Sequence, residues 1–269
     1  GLIIGKVLGP EYFTFIMILA IIISILYIWI GYFYSDKIAL ASVNAKPASE
    51  RDYREYHNIV EGLSLASGLP KPKLYVMNDN NINAFASGRD PSHAVICVTS
   101  GALEKLDKHE LEGVLAHEMS HIANYDIRFM TLTAVLVGMI AIISEIFLRS
   151  LWYSSLDKDR DNRINIFFII IGVILAILAP LVVQLVQLAI SRKREYTADA
   201  SAVKFTRTPT GLINALKKIQ REHLPSPGEK HHYNKAVAPL FIADPFKKFS
   251  GLFQTHPPLQ KRIEILERM

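Results

Sequence analysis

Residues 115–126 read LAHEMSHIANYD, and the reading of this stretch decides how the rest of the chain must fold. His117 and His121 are four residues apart, with Glu118 directly after the first. On an α-helix that spacing puts both imidazoles on one face, with Cβ atoms about 5–6 Å apart. Two such rings can share one metal ion. Glu118 then points to the flank of the metal, where a carboxylate takes a proton from water instead of occupying a coordination position. An exposed polar patch on a solvated helix is the competing explanation. Leu111, Val114, Leu115, Met119 and Ile122 argue against it, because they form an apolar stripe that buries the segment carrying the histidines. Asp107, with Glu110 three residues later, gives this helix a capping-box start.

Upstream, Ser49 and Asp52 read as a capping-box-like start for a helix whose apolar positions are Tyr53, Tyr56, Ile59, Val60 and Leu63, stopped by Gly68 and Pro70. KLYVM (73–77), NAFAS (83–87) and AVICVT (94–99) are short runs bounded by Asn, Gly, Asp and Pro, and they read as strands of a small sheet. Downstream, residues 191–223 read as helical, LPSPGEKHHYNKAVAP breaks every periodicity, and THPPLQKRIEILERM ends the chain in a proline-started helix.

Three apolar runs flank these parts. Residues 13–30 carry no charge and are closed by Tyr32, Tyr34, Asp36 and Lys37; residues 129–143 and 164–190 form a second and a third run, the last interrupted by Pro180. The expected fold class is therefore an α+β membrane protein, mainly helical, with three transmembrane helices and a small β-sheet beside the metal-site helix. Its expected divisions are an N-terminal remnant (1–12), a transmembrane helix (13–34), the first part of a cytoplasmic catalytic domain (35–127), a transmembrane hairpin (128–190) and the second part of that domain (191–269).

A catalytic zinc takes three protein ligands and keeps a fourth position open. Glu195 of SRKREYTADASA is the candidate for the third, with Asp199 one turn later placed to hold the free nitrogen of a ligand histidine. A Glu and an Asp four apart are also common on solvated helices. Topology favours the ligand: two crossings after His121 return Glu195 to the side that His121 left. That side carries Lys37, Lys46, Arg51, Arg128, Arg192, Lys193, Arg194, Lys204 and Arg207, against Lys6, Arg149, Lys158, Arg160 and Arg163 opposite, which places the site in the cytoplasm.

Composition removes other classes. The single cysteine, Cys97, excludes an internal disulfide and a thiolate metal site, and in an apolar run it reads as a small buried hydrophobe. The formal charge of +5 comes with no basic tract interleaved with aromatics, so nucleic acid is not an expected partner.

The ordered series HEMSHIANYD, a two-span hairpin, REYTADASA and HPPLQKRI resembles HtpX-type integral-membrane zinc metalloproteases, which are related to the CAAX prenyl endoproteases. The resemblance covers nearly the whole chain. It implies one Zn2+ per chain held by His117, His121 and Glu195, with Glu118 as general base. It also implies that His256 of THPPL stabilises the oxyanion or holds substrate. Asn83 and the strand residues Ala94, Val95, Ile96, Cys97 and Val98 would contact the backbone of a peptide added along that strand as an edge. Asp199 supports a ligand, and Asn124 and Asp126 bond the turn where the motif helix meets the membrane. The implied substrates are unfolded or membrane-associated proteins. Members usually carry a further N-terminal span, for which residues 1–12 are at most a remnant. Two rival functions fit the same residues: a zinc hydrolase of a non-peptide substrate, and a membrane scaffold with a structural zinc.

Overall fold

The computed structural model describes residues 22–23, 26–27, 29–130, 192–222, 241–242 and 257–269. Helix α1 (Ser35–Ser42) leads into strand β1 (Lys46–Pro47), helix α2 (Arg54–Ser67), strands β2 (Lys73–Met77) and β3 (Ala84–Ser87), a 3-10 turn (Pro91–His93) and strand β4 (Val95–Thr99). Helices α3 (Ser100–Lys105), α4 (Lys108–Ala123), α5 (Arg192–Thr206), α6 (Thr210–Glu222) and α7 (Leu259–Leu266) follow.

The capping box read at the start of α4 is present: Asp107 accepts from the backbone of His109 and Glu110, and the Glu110 side chain accepts from the Asp107 backbone. The other expected box is not. Tyr53 is the N-cap of α2 and gives no side-chain cap, while Ser49 Oγ accepts from Arg51 N in a turn just upstream. Gly68 ends α2 at φ 72°, a left-handed conformation that costs glycine little.

The four strands run in the order β1-β2-β4-β3, with β2 parallel to β4 and the two outer pairings antiparallel. Strand β4 therefore lies inside the sheet, with Cys97 opposite Tyr75 on one side and Phe85 on the other. This corrects the expectation for residues 94–98. Both neighbours of β4 are already paired, so no peptide can add along it as an edge, and the outer strand next to α4 is β3.

Helix α4 runs through the middle, packed against α2, α5, α6 and β3. Its close approach to α6 depends on two glycines: a Cβ on Gly113 would collide with the backbone of Leu212, and one on Gly211 with the backbone oxygen of His109. The core around α4 is built from Leu111, Val114, Leu115, Met119 and Ile122, the stripe expected from sequence, against Ile96, Val98, Leu216, Ile219, Ile263 and Leu266. Residues 192–222 form two helices, parted where Arg207 turns at φ 61° ahead of Pro209.

The description as three transmembrane helices is corrected. Among the described residues no helix is long and apolar enough to cross a membrane. A crossing needs about 20 apolar residues. Helix α4, at 16 residues, is spent on the core, and α1 has eight and carries Asp36 and Lys37. Most of the run 13–30, residues 131–143 of the second run, and all of 164–190 lie outside the described residues.

Candidate metal centre

The first turns of α4 are fixed by its cap and by Lys218 Nζ, which donates to Glu110 Oε2 at 2.6 Å. Two and three turns further on, His117, Glu118 and His121 face inward and are all buried. Helix α5 crosses beside them and brings in Glu195 and, one turn later, Asp199, also buried.

His117 Nε2 lies 3.2 Å from His121 Nε2 and 3.6 Å from Glu195 Oε2, and His121 Nε2 lies 3.6 Å from Glu195 Oε1. Two ligands each about 2.0–2.1 Å from a tetrahedral ion stand about 3.3 Å apart. The three donors, all within 4.8 Å of one another, are thus spaced to enclose one metal ion. Two imidazoles, deprotonated when they bind, and a carboxylate also suit a borderline divalent cation.

Each imidazole is held from behind by a carboxylate, and each carboxylate by an arginine. His117 Nδ1 is 3.0 Å from Asp199 Oδ1, and Arg262 donates to Asp199 through Nε (2.9 Å) and Nη2 (2.6 Å). His121 Nδ1 is 3.1 Å from Asp126 Oδ2, and Arg194 Nη1 donates to Asp126 Oδ1 at 2.5 Å. A carboxylate behind a ring nitrogen fixes the tautomer and raises the basicity of the other nitrogen. Arg262 is fully buried, and its Nη1 lies 3.4 Å from Glu195 Oε2.

The charges of this buried group are strongly coupled. Burial raises the Asp199 carboxyl, but Arg262 and His117 outweigh it and hold it at about 2. Burial and Arg262 pull the His117 ring down, yet Asp199 and Glu195 together lift it to about 9. Burial pushes the Glu118 carboxyl above the usual carboxylate range, opposed by the two histidines and by a hydrogen bond from the backbone of Ala86 on β3. A buried carboxyl beside a donor triad, with its proton affinity raised by burial, is suited to accept a proton.

Of the residues expected from sequence, the structure brings together His117, Glu118, His121, Glu195 and Asp199. Asn124 is not among them: it is exposed and forms the C-cap of α4, its N–H bonded to Ser120 O. Asp126, expected to bond a turn, is the residue behind His121. Asn83 is buried, with its Oδ1 accepting from Ala84 N and its N–H donating to Thr99 Oγ1. Residues 94–98 are buried in the sheet, and burial pushes the Cys97 thiol up, away from thiolate chemistry. His256 lies outside the described residues. Sequence reasoning missed Arg262 and Arg194. The signal for Arg262 was there: in QKRIEIL it falls on the same helical face as Ile263 and Leu266, a cation at a core position.

A protein-family model described as Peptidase family M48 matches residues 50–269. The chain is 48% identical over 259 residues to a Protease HtpX homolog of Caldanaerobacter subterraneus subsp. tengcongensis, covering 95% of this chain and 85% of that one. It is 41% identical over 260 residues to a Protease HtpX homolog of Streptococcus pyogenes, covering 94% and 86%. Among solved structures, S. mikatae Ste24p superimposes with a TM-score of 0.54 at 20% identity, over 98% of this chain and 60% of that one, a likeness of fold. The matched segment contains the whole donor group and the base beside it, and so the chain belongs to peptidase family M48, as a membrane metalloendopeptidase of the HtpX type.

Proposed function

We propose that the chain is a zinc endopeptidase that cuts unfolded or membrane-associated proteins at the cytoplasmic face of the cell membrane. His117, His121 and Glu195 hold the metal, Glu118 is the general base, and Asp199 and Asp126 orient the two rings. Zinc, when bound, acidifies water for attack and draws electron density from the scissile carbonyl. Glu118 would act as the base that takes a proton from the attacking water and hands it to the leaving amine. By resemblance, His256 is the proposed oxyanion donor. Lys37, Arg128, Arg192, Lys193 and Arg194, which adjoin the apolar runs in sequence next to the segments that form the site, support the cytoplasmic placement.

One observation carries the peptide reading: α4, the helix of Glu118, packs against β3, the outer strand of the sheet. The helix that carries the base thereby lies against the edge on which a peptide would add as a strand. That edge accepts strands, because the chain's own Ile242 N donates to Ala84 O at 2.9 Å and Phe241 bridges to Phe85 in antiparallel sense. A scaffold with a structural zinc would need four protein ligands, and among the described residues the donor group has three.

Casein proteolysis and zinc content in detergent test this reading. Glu195→Ala is expected to lose both, and a chelator to abolish proteolysis until zinc is restored; a Glu195→Ala protein that keeps metal and activity removes Glu195 as a ligand. A second expectation follows from the occupied edge. Substrate must displace Ile242, so Ile242→Pro, which lacks the donating N–H, should lower KM for casein about two- to tenfold, the worth of one hydrogen bond. An unchanged KM would place the substrate elsewhere.

A further inference from the structure

We propose that a groove of about 310 Å³ at the foot of α1, lined by none of the metal donors, seats the phosphate of an anionic phospholipid headgroup. Its apolar wall is Trp29, Phe33 and Tyr34, exposed by 54%, 38% and 44%. Its cations are Lys37, Lys73 and Arg89, joined by His93; Asp36 is the acidic residue on its lining.

The cations are arranged on aromatic faces. Lys37 Nζ stands 4.9 Å from the Tyr34 ring centre, and the Arg89 guanidinium 5.3 Å from that of Phe33, with Nη1 donating to Phe33 O at 3.5 Å. Outside the groove the same pairing recurs, with Arg128 on Tyr125 and Arg194 on Phe129, and Arg128 Nε donates to Arg89 O at 3.1 Å. Exposed aromatics that carry cations on their faces match a bilayer interface, where rings sit at headgroup depth and cations meet lipid phosphates. Ile22, Ile23, Leu26 and Ile30, all exposed, extend the same surface away from the groove toward the acyl region.

Asp90 accepts from His93 Nδ1 at 2.7 Å and lies 3.4 Å from Arg89 Nε. It neutralises part of the charge. Lys37 and Lys73 have no acidic partner among the described residues, and the phosphate supplies the negative charge that the lining lacks. The occupant is a diacyl lipid, not free phosphate, because the aromatic wall and the isoleucines offer a seat for its chains.

Trp29 is a built-in reporter. In a Trp152→Phe background, the only other tryptophan being removed, the full chain is reconstituted in phosphatidylcholine vesicles with a trace of dansyl-labelled phosphatidylglycerol or dansyl-labelled phosphatidylcholine. Energy transfer from Trp29 is expected to favour the labelled phosphatidylglycerol, and the preference to fall about fivefold for each cation removed in Lys73→Gln and Arg89→Gln. Lys108→Gln/Lys204→Gln removes the same charge at the far ends of α4 and α5 and should keep the preference. Equal transfer to the two lipids, a preference that survives Lys73→Gln/Arg89→Gln, or one abolished by inorganic phosphate in solution would each overturn the proposal.

Discussion

Glu118→Gln is expected to lose about 10²- to 10⁴-fold in kcat for peptide cleavage while retaining the wild-type metal content. The two halves of this result test different things. The substitution is isosteric and lies at a fully packed position, between the donor group and the backbone of Ala86. Glutamine keeps the volume and an acceptor oxygen, so α4 and its ligands are not disturbed. What it cannot do is take a proton from water, and among the described residues the other carboxylates of the centre outside the donor group are committed: Asp199 to Arg262 and His117, Asp126 to Arg194 and His121. Metal content by atomic absorption and initial rates on casein decide the matter. A variant with near-wild-type rates would remove Glu118 as base, and one that lost its metal would make Glu118 part of the holding site.

The donor helix was legible because three independent signals coincide on one short segment. The i, i+4 histidines, the apolar stripe and the Asp107–Glu110 box all require a helix in the same register, and the structure has all three. The strands were legible as runs, but their order was not. Residues 94–98 are the most apolar of the runs for the reason that also closes them to substrate: a strand paired on both sides and covered on both faces needs apolar residues throughout. The run 83–87, read as a strand like the others, is the outer one.

Partners distant in sequence were the least legible. Arg262 lies 63 residues from Asp199, and Arg194 lies 68 residues from Asp126. No local periodicity links such positions. Asn124 and Asp126 show the same limit at short range: both follow the second histidine, and only the turn after α4, with Tyr125 at φ 57°, directs one outward and the other back to the imidazole.

Arg262→Met should be the most destabilising single change at the centre, at about 3–5 kcal/mol, because it strands two buried carboxylates without their cation. Arg262 has no exposed surface, and its guanidinium meets Asp199 at 2.6 and 2.9 Å and Glu195 at 3.4 Å. Its carrier, α7, is otherwise anchored by Ile263 and Leu266, so the arginine ties the C-terminal helix to the centre. Loss of the cation alone, not of packing, is what the methionine tests, since its side chain fills much of the same volume. Asp199→Asn in the Arg262→Met background should recover part of the loss, because the stranded charge goes with it. Lys261→Gln, on the exposed face of α7, should change little. Denaturant midpoints in detergent measure the stability, and zinc content measures whether Glu195, once freed of the 3.4 Å contact, still closes the donor group. If Arg262→Met unfolds at the wild-type midpoint, or if Asp199→Asn worsens it by the full sum of the two single changes, the arginine does not balance the centre and the coupling drawn here between α5 and α7 is wrong.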